Sequence, residues 1–382
     1  MHRNLGRHRS VLLSLAGLAS LLSGCVVTDH TLYDAARANR ATAIDAAFTA
    51  PQAFDYPRSN TAPIVTETSP GFEGYRSFSI VGPEAPALAS PDLHLEANLY
   101  LSEQLGIDRL VIVLPIWGSA DFPQRKVVKS LLDWSGGRLH VLEVVSHEAI
   151  FRWTELADAQ TETEFFELAH ESSMRVAGTV TGIRRLVDWV DPYGDLEIDL
   201  VGFSMGALVG AITIGVDDRL SSGVLMLGGS DPAGILANCS SRKVAQVRKG
   251  AMRRFGWSRA QYREVMEEYF GAGDPGLFQG RYDPSRLLII DGALDTCMNR
   301  ESRDALWQAT GQPERYRILS THRWGFMALT PLALNQATKK IFAFLIQRPT
   351  DPARGAQSAA PRILLASTDA RPVPTHTLEA NR

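Results

Sequence analysis

Between Leu196 and Ile214 the chain changes its side-chain period with almost no connector. Leu196-Glu-Ile-Asp-Leu-Val201 reads as a buried strand, and the apolar run from Met205 to Ile214 reads as a helix. Only Gly202-Phe203-Ser204-Met205-Gly206 makes the change of direction. A strand-to-helix turn so short leaves no room for side chains flanking the serine, so glycine is required on both sides. The same turn lifts the Ser204 hydroxyl above the sheet edge, at a helix N-terminus. This stretch therefore demands a strand feeding directly into a covering helix.

The neighbouring segments extend that pattern. Leu110-Val-Ile-Val-Leu114 is a continuous apolar run of the kind found in strands covered on both faces. Phe122 to Trp134 has helical spacing, Leu139 to Val145 is a strand, and Thr161 to Trp189 is a long helical pattern crossed by Gly178 and Gly182. After Ser204 come strands at Val224–Leu227, Leu287–Ile290 and Tyr316–Leu319, with a helix over Glu301–Thr310 and a last one over Pro331–Gln347. The alternation predicts an α/β chain, with a mostly parallel sheet and helices on both faces.

Composition removes several rivals. The 382 residues are 45% hydrophobic and 21% charged, as in ordinary globular chains. With 39 basic against 42 acidic residues, no global positive field argues for nucleic acid. Three cysteines are too few for a disulfide scaffold or a four-thiolate zinc site. No His/Cys/Glu spacing suggests a metal and no glycine-rich phosphate loop is present, so no cofactor is expected.

From Phe78 to about Gln347 the chain resembles the α/β-hydrolase family, on the Gly-x-Ser-x-Gly motif in its strand–turn–helix context. The resemblance implies that fold, with Ser204 as nucleophile, followed along the chain by an acid and then a histidine, each after a strand. Its Gly-x-x-Asp pattern falls on Gly292-Ala-Leu-Asp295 and implies Asp295 as the acid. Asp291, closing the strand, and Asp231, after the preceding strand, are the alternatives. His322, in Ser320-Thr321-His322 after the last strand, takes the family's histidine position, with Thr321 where members often carry glycine. His140 and His170 lie at a strand start and within a helix, and His147 precedes the serine, out of the family's order. The implied oxyanion donors are the backbone of Met205 and a residue of Pro115-Ile-Trp-Gly118. Proline has no N–H, which leaves Ile116 or Trp117, with Trp117 favoured by position. The implied chemistry is hydrolysis of a small-molecule or lipid-like ester through an acyl-enzyme. A peptidase or amidase, an acyltransferase, and a catalytically silent envelope binding protein are the rivals.

The stretch between the strands ending near Gly229 and starting at Leu287 is too long for a loop. Helical patterns at Ala245–Phe255 and Arg259–Phe270 predict a helical cap over Ser204, spanning about 231–285. Arg242, Lys243, Arg248, Lys249, Arg253, Arg254, Arg259 and Arg263 follow one another there without an acid, as either an anion-facing surface or a solvated face balanced by Glu264, Glu267 and Glu268. Trp257, Tyr262, Tyr269 and Phe270 fit a cap core better than an acyl pocket. Cys239 and Cys297 form an even pair that could tie the cap to the loop carrying Asp295, but only a structure can say whether their Cα atoms approach within ~7 Å.

The N-terminus carries a separate message. Arg3, Arg7 and Arg9 precede the apolar run Val11–Leu22, which is too short to cross a hydrocarbon layer of ~30 Å. Leu22-Ser23-Gly24-Cys25 then resembles a bacterial lipobox, which implies cleavage after residue 24 and acylation of Cys25. With Val26 rather than an aspartate next, the expectation is a lipid-anchored protein of the bacterial cell envelope, at the outer membrane. The resulting organisation is a signal peptide (1–24), a lipidated N-terminus and linker (25–70), the α/β domain (71–347) and a Pro/Ala/Arg/Thr-rich tail expected to be disordered (348–382).

Overall fold

The apolar run at Leu110–Leu114 is fully buried because the strand it forms is covered on both faces. The computed structural model describes residues 27–38, 51–55, 62–82, 95–116, 122–145 and 149–347. Their strands are β1 (Val27–Thr31), β2 (Ile64–Thr68), β3 (Tyr75–Val81), β4 (Glu96–Ser102), β5 (Arg109–Val113), β6 (His140–Val145), β7 (Glu197–Phe203), β8 (Leu220–Met226), β9 (Leu287–Gly292) and β10 (Glu314–Ile318). One sheet holds all ten in the order β1-β10-β9-β8-β7-β5-β6-β4-β3-β2. Strands β10 through β6 are parallel, and the strands outside them pair antiparallel.

The main helices are α1 (Gln124–Ser135), α2 (Glu162–Val190), α3 (Met205–Val216), α4 (Pro232–Asn238), α5 (Arg242–Phe255), α6 (Arg259–Phe270), α7 (Arg300–Ala309) and α8 (Gln336–Gln347). Alternate residues of each central strand point to opposite faces. Leu110, Ile112 and Leu200 therefore join α2 and α3 through Val180, Ile183, Val209 and Ile212. Val111, Val113 and Val201 join α1 and α8 through Val127, Leu131, Ile341 and Leu345. Each such side chain contributes about 1.5–3 kcal/mol when fully withdrawn from water.

The helices α4, α5 and α6 follow β8, and α6 packs against α4, α5 and α2. Tyr262 and Phe270 are buried beneath them, and Phe165 of α2 meets Phe255, Trp257 and Tyr262. Four of the eight basic residues of this stretch are engaged. Buried Arg248 donates to the Leu236 and Cys239 carbonyls, Arg254 to those of Ala157 and Ala159, Arg259 to Asn238, and Arg263 to Asp231.

One expectation needs correction. The segment 25–70, read as a linker, supplies both outermost strands: β1 pairs with β10 and β2 with β3. These strands are largely exposed and carry no apolar face, so backbone pairing places them and their side chains leave no period in the sequence. Cys25, the signal segment and the tail 348–382 lie outside the described residues, and no described helix is long and apolar enough to cross a membrane.

Candidate active site

Ser204 stands between β7 and α3 with φ 53° and ψ −111°, a left-handed backbone for a side chain that gains nothing from it locally. Such a conformation costs about 1–3 kcal/mol and persists only where the surroundings over-determine it. Both flanks do so here. A Cβ on Gly202 would stand 2.2 Å from the Gly206 carbonyl oxygen, and one on Gly206 would stand 2.3 Å from that of Pro115. The Ser204 N–H donates to the Met226 carbonyl of β8 at 2.8 Å, which fixes the turn to the sheet.

The hydroxyl so presented meets two later loops. Ser204 Oγ lies 2.9 Å from His322 Nε2, and His322 Nδ1 lies 2.7 Å from Asp295 Oδ2. The buried carboxylate accepts a hydrogen bond from Nδ1–H, so Nε2 is left to accept from the serine hydroxyl. Asp295 Oδ1 accepts from the Cys297 and Met298 N–H groups at 2.8 and 3.0 Å. The loop after β9 is laced to the loop after β10, with Ala293 N–H donating to Ile318 and Leu294 N–H to Ser320. The acid and the imidazole are thus carried by loops that share hydrogen bonds. Phe326 stands edge-on to the imidazole, its ring centroid 5.9 Å away.

The alternative acids are occupied elsewhere. Asp291 is fully buried inside β9 and bonds Arg315 and Arg317 of β10, its neighbour in register. Asp231 caps α4 through the Gly234 N–H and is bridged by Arg263. His140 is buried with Nδ1 accepting from the Ser102 N–H at 3.0 Å and Nε2 facing the Ile107 carbonyl. Burial pushes it down to about 4, so it stays neutral and structural. His170 stands edge-on to Tyr269 on α2, and His147 lies outside the described residues.

Of the two oxyanion donors expected, Met205 is the first residue of α3 and its N–H has no acceptor within the helix. Trp117 lies outside the described residues, while Pro115 and Ile116, just before it, run beside the elbow with the Pro115 carbonyl against Gly206.

Cys239 and Cys297 form a disulfide that joins the end of α4 to the loop holding Asp295. The backbone amides of Cys297 and Met298 were not foreseen as partners of the acid. Their signal was local: an aspartate commonly accepts from the N–H groups two and three residues on.

No family model and no curated protein matches the sequence. Among solved structures, the acetyl xylan esterase from Paenibacillus sp. R4 superposes with a TM-score of 0.52 at 14% identity, over 80% of this chain and 94% of its own. The acylaminoacyl peptidase from Pyrococcus horikoshii gives 0.47 at 14% identity, over 74% of this chain and 43% of its own. A cold-adapted esterase from an Arctic intertidal metagenomic library gives 0.43 at 12% identity, over 73% and 97%. At such identities the likeness speaks of the fold alone. Taken with the parallel core and the sharp turn between β7 and α3, the superposition on the Paenibacillus enzyme identifies the fold of this chain as that of the α/β-hydrolases.

Proposed function

We propose that the chain is a serine hydrolase that cleaves carboxylic esters through an acyl-enzyme. The observation that carries the reading is the unbroken hydrogen-bond chain from Ser204 through His322 to Asp295. A serine hydroxyl is a weak nucleophile until a base takes its proton as it attacks. His322 Nε2 would take that proton, and Asp295 would keep the imidazole in the required tautomer and stabilise the imidazolium. The Met205 N–H and an N–H from the loop after β5, Trp117 by position, would receive the oxyanion, each worth about 3–4 kcal/mol in the transition state. His322 then returns its proton to the leaving alkoxide, and water attacks the acyl-enzyme with the same base.

Stoichiometric labelling of Ser204 by a fluorophosphonate, lost in Ser204→Ala, tests the nucleophile. Turnover of p-nitrophenyl esters in preference to anilides tests the ester class. A folded chain that takes no label would be a binding protein on this fold, and preferential anilide cleavage would make it a peptidase.

The N-terminal residues support a second part of the proposal, an acylated Cys25 that anchors the enzyme in the bacterial envelope, at the outer membrane. Several acyl chains anchor stably where one binds marginally. Mass spectrometry of the mature N-terminus should find a diacyl or triacyl cysteine; an unmodified secreted form would refute the anchor.

A further inference from the structure

An apolar cavity of about 90 Å³ lies where α2, α3 and the helices after β8 converge. Its walls include Met205, Leu208, Ile235, Leu236, Phe270 and Met298. Two of these touch the catalytic arrangement directly. Met205 follows Ser204, so its Cα stands about 3.8 Å from that of the nucleophile. The Met298 N–H bonds Asp295, and its Sδ lies beside Gly229, where an added Cβ would stand 3.3 Å from it.

Geometry also decides which half of an ester such a cavity can take. Once the Met205 N–H fixes the carbonyl oxygen, the leaving alkoxide must turn toward His322, which protonates it. The acyl chain must then extend away from His322. Among the described residues, none of the cavity's lining comes from the loop after β10, which carries His322, or from α8, and most of it comes from α2, α3 and the helices after β8. We infer that this cavity is the acyl site, and that it selects esters of short apolar acids. The inference rests on the ester-hydrolase reading and deepens it.

The size sets the class. A dry apolar cavity of ~150 Å³ holds a benzene ring, or roughly 25 Å³ per carbon, so 90 Å³ takes about three to four carbons beyond the carbonyl. Butanoyl and pentanoyl groups fill it, acetyl leaves most of it empty, and octanoyl overruns it. Two methionines beside the nucleophile, flexible and apolar, suit a wall that adjusts to a chain sliding past.

The test uses the full chain and p-nitrophenyl esters from acetate to decanoate. The kcat/KM should peak at butyrate or valerate and fall at least tenfold by octanoate. Ala177→Phe, which fills the cavity from α2, should lower the butyrate-to-acetate ratio of kcat/KM at least tenfold. Leu236→Ala, which enlarges it, should move the peak toward hexanoate or beyond, and it stands independently if the filled variant does not fold. A profile that is flat, or that peaks at acetate or at octanoate and longer, overturns the inference, as does a ratio unmoved in both variants. Fluorophosphonate labelling of Ser204 separates the two failures. A labelled enzyme with the wrong profile refutes the acyl site alone. A chain with neither label nor turnover refutes the hydrolase reading on which it rests.

Discussion

Replacing Asp295 with asparagine changes one oxygen to an NH2, and the surrounding bonds decide which oxygen it is. Oδ1 accepts from the Cys297 and Met298 N–H groups, and Oδ2 faces His322 Nδ1. An amide has one acceptor end and one donor end. Turning its NH2 toward the two backbone amides would leave both buried N–H groups unsatisfied, at about 1–3 kcal/mol each. The amide therefore keeps its oxygen on the backbone and presents NH2 to Nδ1. That donor forces Nδ1 to accept, which puts the imidazole proton on Nε2, where Ser204 needs a base. With about 2–6 kcal/mol against the productive orientation, its population is roughly 3% at best, and the wrong tautomer alone costs up to about 10⁴ in kcat. Asp295→Asn should thus lower kcat on p-nitrophenyl butyrate by about thirtyfold to about 10⁴-fold, with KM changed little because ground-state contacts are untouched. Steady-state kinetics on the folded variant, with a thermal melt as control, reads the result. A kcat within tenfold of the parent would refute the claim that the carboxylate sets the tautomer.

Other expectations follow from neighbouring groups. Asp291→Asn strips charge from a buried cluster with Arg315 and Arg317 and should destabilise the fold by about 3–5 kcal/mol in urea titration, while surviving folded protein still labels at Ser204; loss of label with unchanged stability would assign the catalytic acid to Asp291 instead. Removing the Cys239–Cys297 bridge by a double serine variant opens a loop with 58 residues of separation, about 4 kcal/mol on chain-entropy grounds, and should lower Tm; an unchanged Tm would mean the cap docks without it. His140, held at about 4 by burial against an ordinary 6.5, stays neutral in the folded chain while the unfolded chain takes up a proton. Stability is therefore full above pH 6.5 and lost as pH falls toward 4, by about 3 kcal/mol in all. The His140→Gln variant should show a flatter stability profile over that range, and an equally steep one would place the titration elsewhere.

What could be read before folding was whatever a few consecutive residues encode. The strands β5, β6, β7 and β9 announce themselves as largely apolar runs because both their faces are buried, whereas β10 carries Arg315 and Arg317 and is only partly covered. The antiparallel strands β1 to β4 do not, since they lie toward the margin of the sheet and β1 and β2 carry mostly exposed side chains. Asp231, Asp291 and Asp295 each follow or close a strand in the sequence. They separate only when Arg263 bridges the first, Arg315 and Arg317 surround the second, and His322 reaches the third.

The sequence by itself determined the sharp turn at Ser204, because the steric exclusion at Gly202 is against Gly206, within the same five residues, whereas the crowding at Gly206 comes from distant Pro115. It also carried the α/β alternation, because side-chain period is a local property. Tertiary structure alone decided that Ser204 would meet a histidine 118 positions away, that Cys239 would reach Cys297, and that an apolar cavity would open beside Met205. Those outcomes depend on where the sheet order and the packed helices bring distant loops, and no short window of residues contains that information.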